Sequence, residues 1–292
     1  MSTNIARSLG DYFSIVREIR KQWKTPENKE LWFRAEDSKH LGTTSLQPGL
    51  YRPKDGSRPK PIKDLLMLEN DLYEEFLRCS PQFSDSKASE DDWEWETYFL
   101  MQHHGVRTRL LDWSDGALIA LHFAVREKAV PPKSGSIIYV LDPDWLAKLL
   151  RKHPERRALK SRWKKFARKD PYHYYEDEWE RLYLPLDEDD ADEPLLTTPK
   201  IPMLDDPRHI TRRIAAQRSR FMIFGTDPSW LSKLATKRGS RITPITIPVG
   251  AITPIKFELR EAGITESVIY PDLDGLGREF KQMWDLSGCH NA

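Results

Sequence analysis

Residues 102–125 read QHHGVRTRLLDWSDGALIALHFAV, and this stretch joins a dense group of polar residues directly to an apolar segment. The second half is apolar on nearly every side, which is typical of a helix that the rest of the protein covers. We therefore predict a buried helix over residues 114–127, capped by Ser114 or Asp112. The polar residues before this helix form either an active site or a hydrogen-bonded structural corner.

The segments around this stretch alternate between helical and strand patterns. Apolar residues recur at helical spacing in 8–24, 62–79, 89–104, 145–169, 251–262 and from Leu273 onward. Short runs of apolar, β-branched and aromatic residues between turn formers predict strands at 30–36, 134–142, 220–224 and 242–247. Ser8, Ser89 and Asp272 stand where N-caps belong, and Gly105 stands where a helix ends. This mixture predicts the α+β class, with a small mixed or antiparallel sheet and surrounding helices.

Charge separates one segment from the rest of the chain. Residues 151–170 are strongly basic and residues 186–194 strongly acidic, with too few apolar residues nearby for an independent core. We therefore treat 1–292 as a single domain, with an N-terminal helix in 1–24 and a charged insertion at 143–199. The acidic run is expected to be a surface loop, and both runs are typical of solvated faces.

Composition excludes several classes of protein. The net charge is +1, so overall charge favours neither nucleic acid nor an anionic membrane as a partner. The two cysteines, Cys79 and Cys289, lie far apart and outside any CxxC pair, which favours a reducing cytoplasm. The sequence has no apolar signal region and no run of about 18 apolar residues, so we expect a cytoplasmic protein without a membrane partner.

An arginine inside the predicted first strand is unusual. Arg34 follows Trp32 and Phe33 in the run WFRAED. A buried guanidinium destabilises a protein unless it is paired. Arg34 therefore either forms a structural ion pair or binds an anion, for which its planar fork is well suited.

The polar residues of the opening stretch allow two interpretations. His103 and His104 are adjacent at the end of a helix, which is the wrong spacing for joint metal binding, so no metal site is predicted. Arg109 and Asp112 form either an ion pair across the turn or part of a phosphate site at the start of the next helix. No GxGxxG, Walker A, HExxH or GxSxG motif is present.

These segments, in this order, resemble the FRG-domain family, which is named for an aromatic-Arg-Gly triplet. Phe33, Arg34 and Ala35 stand at the triplet, with alanine in place of glycine. The run LQPGLYR (46–52) resembles the next family segment, and 102–125 resembles its most specific block. AAQRSRF (215–221) and PDLDGLG (271–277) resemble its later segments, so the resemblance spans about 30–282 without 143–199.

This resemblance implies a toxin or effector in bacterial stress or phage defence. A weaker similarity to ADP-ribosyltransferases of the Arg–Ser–Glu type implies an ADP-ribosyltransferase-like fold, an NAD cofactor and a macromolecular acceptor. It places the catalytic roles on Arg34, Ser114 and Gln217, where Arg34 binds the NAD phosphate. Gln217 departs from the pattern, because a neutral amide cannot stabilise a cationic transition state as a carboxylate does. The residues expected to hold the NAD-like nucleotide are Arg34, His103, His104, Arg109 and Asp112.

Two other functions remain open from the sequence. The basic segment 151–169 could follow a nucleic-acid backbone while Trp163 and Phe166 stack on bases. Alternatively, the protein is a non-enzymatic interaction module, and the 102–125 stretch is a structural corner.

Overall fold

A six-stranded antiparallel sheet organises the chain. The computed structural model describes residues 4–37, 44–53, 57–83, 93–126, 135–168, 175, 177–185, 198–205 and 211–284. The strands are β1 (Trp32–Asp37), β2 (Leu110–Ser114), β3 (Ser136–Leu141), β4 (Met203–Asp205), β5 (Ser219–Ile223) and β6 (Ile242–Ile247). Their order across the sheet is β4-β5-β2-β1-β3-β6. The predicted α+β class is confirmed.

Helices pack on both faces of this sheet. Within the described residues they are α1 (Leu9–Trp23), α2 (Ile62–Cys79), α3 (Trp93–His103), α4 (Ala117–Val125), α5 (Pro143–Lys152), α6 (Pro154–Ala167), α7 (Arg212–Ala216), α8 (Trp230–Ala235), α9 (Ile252–Glu261), α10 (Glu266–Ile269) and α11 (Leu273–Met283). Short 3-10 turns occupy Gly49–Tyr51, Ser80–Phe83, Trp179–Tyr183 and Val249–Ala251. No described helix combines the length and the apolar character needed to cross a bilayer.

Side-chain alternation along the central strands divides the core into two layers. Trp32 belongs to the larger apolar cluster on one face of the sheet, and its neighbour Phe33 belongs to the cluster on the other face. This follows from the two-residue period of a strand. Every residue of β3 is buried, because both faces of the sheet are covered.

The structure corrects the sequence interpretation of residues 110–116. The predicted helix over 114–127 is shorter, because Leu110–Ser114 forms β2 and α4 begins only at Ala117. Ser114 therefore ends a strand, and Gly116 is the N-cap residue of α4, without a side-chain cap. The strand pairs along its whole length with β5, from Leu110 opposite Ile223 to Ser114 opposite Ser219. This long-range pairing outweighs the local helical pattern.

Several helix boundaries agree with the sequence. Ser8 caps α1 by accepting a hydrogen bond from the Asp11 amide at 3.1 Å, and Asp272 caps α11 by accepting from the Gly275 amide at 2.6 Å. Gly105 follows α3 with φ +83°, a left-handed conformation that favours glycine. The predicted cap Ser89 lies outside the described residues, as does Cys289.

The basic segment is part of the main core. It contains the end of α5 and all of α6, which separate at His153 because Pro154 opens the second helix. Trp163 is 2% exposed and Phe166 is 9% exposed, and both belong to the larger apolar cluster. These two rings are therefore not available to stack on bases. The acidic run 186–194 lies outside the described residues.

Arg109 lies at the centre of a fully satisfied buried network. Its side chain is 1% exposed and forms an ion pair with the equally buried Glu69. Its Nη2 donates to the Tyr183 carbonyl at 2.7 Å, and its backbone amide donates to Glu69 Oε1 at 2.7 Å. The Tyr98 hydroxyl also donates to Glu69. The network joins α2, α3 and the start of β2, so its role is structural.

We expect Arg109→Ala to lower the free energy of unfolding by about 3–5 kcal/mol, because it leaves the Glu69 carboxylate buried without its partner. Urea denaturation followed by tryptophan fluorescence measures this change. Arg107→Ala is the control, because Arg107 is exposed two residues earlier and its removal should change stability by about 0.5 kcal/mol or less. Equal midpoints for the two variants would contradict the structural role.

Candidate functional site

A pocket of about 380 Å³ opens where β1 and β2 separate. The two strands are paired only at Phe33 and Ser114. The pocket is lined by residues from far-apart parts of the chain: Phe33, Arg34, Ala35, Gln102, His103, Asp112, Trp113, Ser114, Ala120, Phe123, Arg126, Arg213, Ile214, Gln217, Ser219, Phe221 and Tyr270. Its volume is in the range of small-molecule sites in proteins.

Arg34 is fixed in this pocket by two contacts. Its Nε donates to Glu36 at 3.0 Å, and its Nη1 donates to the Asp112 carbonyl oxygen at 2.7 Å. Glu36 is buried and also accepts from Arg52 at 2.6 Å and from the Leu46 amide at 3.1 Å. Of the two alternatives raised by the sequence, the structure shows the ion pair, and anion binding stays a prediction. Nη2 has no partner among the described residues.

Asp112 is held by a chain of hydrogen bonds from the signature stretch. Thr108 donates to Gln102 Oε1 at 2.8 Å, and Gln102 Nε2 donates to Asp112 Oδ2 at 2.8 Å. The same carboxylate lies 3.9 Å from Arg34 Nη1. The Asp112 side chain is 52% exposed, and its exposed part lies within the pocket. The protein around the pocket desolvates the carboxylate, which raises the pKa of Asp112. Gln102 therefore orients a carboxylate beside the Arg34 guanidinium.

His103 and His104 occupy different environments. His103 lines the pocket, whereas His104 is exposed and does not. Burial lowers the pKa of His103 to about 4, and the nearby charges of Arg213 and His104 act in the same direction. At neutral pH the pocket therefore contains an uncharged imidazole.

Ser114 and Gln217 meet at the inner end of the pocket. The Ser114 hydroxyl donates to the Gln217 carbonyl oxygen at 2.7 Å and accepts from the Gly116 amide at 3.0 Å. Gln217 Nε2 makes a long contact of 3.4 Å to the Ile269 carbonyl. Ser114 thus connects the end of β2 to the turn between α7 and β5.

Three arginines surround the ring of Tyr270. The guanidinium carbons of Arg126, Arg213 and Arg278 lie 4.7, 4.5 and 4.8 Å from the ring centroid. Arg126 also donates to the Tyr270 hydroxyl at 2.8 Å. Arg126 and Arg278 are both paired with the buried Glu266, whose pKa is lowered to about 2 by hydrogen bonds and charges that outweigh its burial. Arg126, Arg213 and Tyr270 line the pocket.

The structure brings five of the seven predicted site residues together. Arg34, Ser114, Gln217, His103 and Asp112 all line the pocket. Arg109 lies in the core network, and His104 lies on the surface. No group of three His, Cys, Asp or Glu side chains suited to a metal ion occurs within the described ranges.

Comparison with known proteins identifies the family of the segment that supplies the N-terminal part of this site. Residues 29–132 match the family model of the FRG domain. The chain carries an FRG domain. No curated protein and no solved structure in the comparison matches the chain significantly.

The FRG domain supplies only one side of the pocket. Arg34, Gln102, Asp112 and Ser114 lie inside the matched range, as does Arg126. The other side comes from residues 213–221 and Tyr270, which follow the matched range. Sequence reasoning missed Arg126, Arg213 and Tyr270 as pocket residues. The clustering of arginines around residue 213 was the available signal.

We expect the low pKa of His103 to appear in the pH dependence of stability. The pKa in the folded state, about 4, lies below the usual value of 6.5, so the folded protein binds this proton less readily than the unfolded chain. The stabilisation is present above about pH 6.5 and is lost as the pH falls towards 4. His103→Gln should therefore gain stability relative to the wild type on acidification, as measured by thermal melts from pH 7 to 4.

Titration of the histidine ring protons by NMR gives the second measurement. The signals that disappear in His103→Gln should titrate in the wild type with a midpoint near pH 4. A midpoint near the ordinary value of about 6.5 would contradict the burial of this ring.

Proposed function

We propose that this FRG-domain protein is an NAD-using enzyme of the ADP-ribosyltransferase type. The observation that supports the proposal is the convergence of Arg34, Ser114 and Gln217 on one pocket. These three residues come from β1, the end of β2 and the turn before β5, and they were assigned together from the sequence. A structural corner would not require an open pocket at their meeting point.

The chemistry of the pocket suits a nucleotide. Arg34 presents a guanidinium whose Nε and Nη1 are already fixed, so little side-chain freedom is lost when Nη2 binds a phosphate oxygen. Among the aromatic residues that line the pocket, the partly buried Phe123 offers a surface for a base or a nicotinamide ring. The neutral His103 adds a hydrogen-bonding group without a charge.

The reaction breaks the bond between nicotinamide and ribose. Nicotinamide leaves with the bonding electron pair as a neutral molecule, and a nucleophile of the acceptor forms a new bond to the same ribose carbon. Positive charge develops on the ribose during this step, and a carboxylate stabilises it. Gln217 carries no charge, so Asp112 is the pocket carboxylate suited to this role.

The acceptor is a macromolecule, and the biological role that the FRG resemblance favours is an effector in bacterial stress or phage defence. Self-modification, another protein and a nucleic acid are the acceptor classes to compare. Labelled NAD distinguishes them by the species into which the label passes.

Incubation with NAD labelled in the nicotinamide ring tests this proposal. We expect the wild type to release nicotinamide and Arg34→Ala to reduce the rate by roughly 10- to 100-fold, because one charge-assisted contact to phosphate contributes about 1.5–3 kcal/mol. Arg34→Lys should fall between the two, because it keeps the charge and loses the fork.

The control is Arg151→Ala on α5, where an exposed arginine bonds only to its own helix at the Ala147 carbonyl. This variant should behave as the wild type. Circular dichroism of each variant checks folding. Absence of both NAD binding and nicotinamide release in the folded wild type would overturn the proposed function.

A further inference from the structure

Arg213 is an unpaired cation on the wall of the pocket. It lies on α7, and its guanidinium makes neither an ion pair nor a hydrogen bond with any described residue. Its Nε is fully buried without a hydrogen-bond partner. A buried polar nitrogen without a partner destabilises a folded protein. Such a group is retained in a pocket when a ligand satisfies it.

The two other arginines on the Tyr270 ring show the contrast. Arg126 and Arg278 stack on the same ring at similar distances, but both are paired with Glu266 at 2.9 Å. The aromatic contact therefore does not explain why Arg213 lacks a carboxylate. Arg213 instead acts on the pocket, where its charge lowers the pKa values of His103 and Asp112.

Arginines outnumber carboxylates around the pocket. Arg34, Arg126 and Arg213 line it, Arg52 shares Glu36 with Arg34, and Arg278 shares Glu266 with Arg126. Within the described residues, the carboxylates among them are Glu36, Asp112, Glu266 and Asp272, which acts on His103. The diphosphate bridge of a dinucleotide carries two negative charges, so it can engage both the Nη2 of Arg34 and the guanidinium of Arg213.

We propose that Arg213 is a second anion anchor and that the ligand of this pocket carries a diphosphate, with one phosphate on Arg34 and the other on Arg213. The inference concerns the same pocket as the proposed function and deepens it by naming the ligand class. It does not require NAD itself, because any molecule with a bridging diphosphate meets the same charges. A single phosphate engages only one of the two arginines.

The experiment compares calorimetric binding of inorganic pyrophosphate, inorganic phosphate and NAD by the wild type, Arg213→Met and Arg34→Met. Methionine keeps an apolar stem on the Tyr270 ring and removes the charge. We expect the wild type to prefer pyrophosphate over phosphate by at least about 10-fold, and each variant to lose this preference, because one charge-assisted contact corresponds to roughly 10–100-fold in affinity.

Arg278→Met is the matched control, because Arg278 contacts the same ring but does not line the pocket. It should lower the melting temperature through the loss of its pair with Glu266 and keep the wild-type preference for pyrophosphate. Arg213→Met should show the reverse pattern. Its melting temperature without ligand should change little, and its preference for pyrophosphate should be lost.

The outcomes separate the two proposals. Binding of pyrophosphate that depends on Arg213, without NAD binding, supports the anion anchor and overturns the NAD assignment. Binding of NAD that depends on Arg34 but not on Arg213 overturns the anchor and keeps the assignment. No binding of pyrophosphate or NAD by the wild type overturns both.

Discussion

The hydrogen bond from Arg34 to the Asp112 carbonyl is the contact on which the site depends. It spans the point where β1 and β2 separate, since the two strands are paired only at Phe33 and Ser114. A carbonyl left free at such an opening would have to be satisfied by water or a side chain. The guanidinium satisfies it with Nη1, while Nε is fixed by Glu36. The planar guanidinium is therefore held in one orientation, and this also fixes Nη2, which has no partner among the described residues.

The residues that lock Arg34 come from three separate segments of the sequence. Glu36 follows in the same strand, whereas Arg52 and Leu46 belong to the LQPGLYR segment and add two further donors to its carboxylate. A buried carboxylate with three donors is well compensated. The signature stretch completes the arrangement through Gln102, which holds Asp112 in place. Three of the segments that carry the family resemblance are thus connected through one hydrogen-bonded group.

The sequence was informative wherever local signals and tertiary packing agreed. The helix over 62–79 and the strand over 242–247 were predicted at their observed bounds, and Asp272 caps α11 as expected. β2 was missed because the run LLDWS is polar at Asp112 and Ser114, and its pairing with β5 is more than a hundred residues away. Arg34 and Asp112 were predicted as site residues because a guanidinium and a carboxylate are groups that binding sites use. Arg126 and Tyr270 could not be found, because only folding brings them together with Arg213.

The opening stretch contains both a structural corner and part of the wall of a pocket. Arg109 behaves as a structural corner: it is buried, its charge is matched by Glu69, and its donors reach carbonyl oxygens. Three residues later, Asp112 lines a pocket and has a raised pKa, and Arg213 in the same lining has a buried nitrogen without a hydrogen-bond partner among the described residues. Unfavourable electrostatics of this kind are typical of functional sites, because a ligand that supplies the missing charge relieves them. The contrast between Arg109, whose charge is paired, and Arg213, which has no ion pair among the described residues, separates a part of the molecule that maintains the fold from the part that we propose binds a ligand.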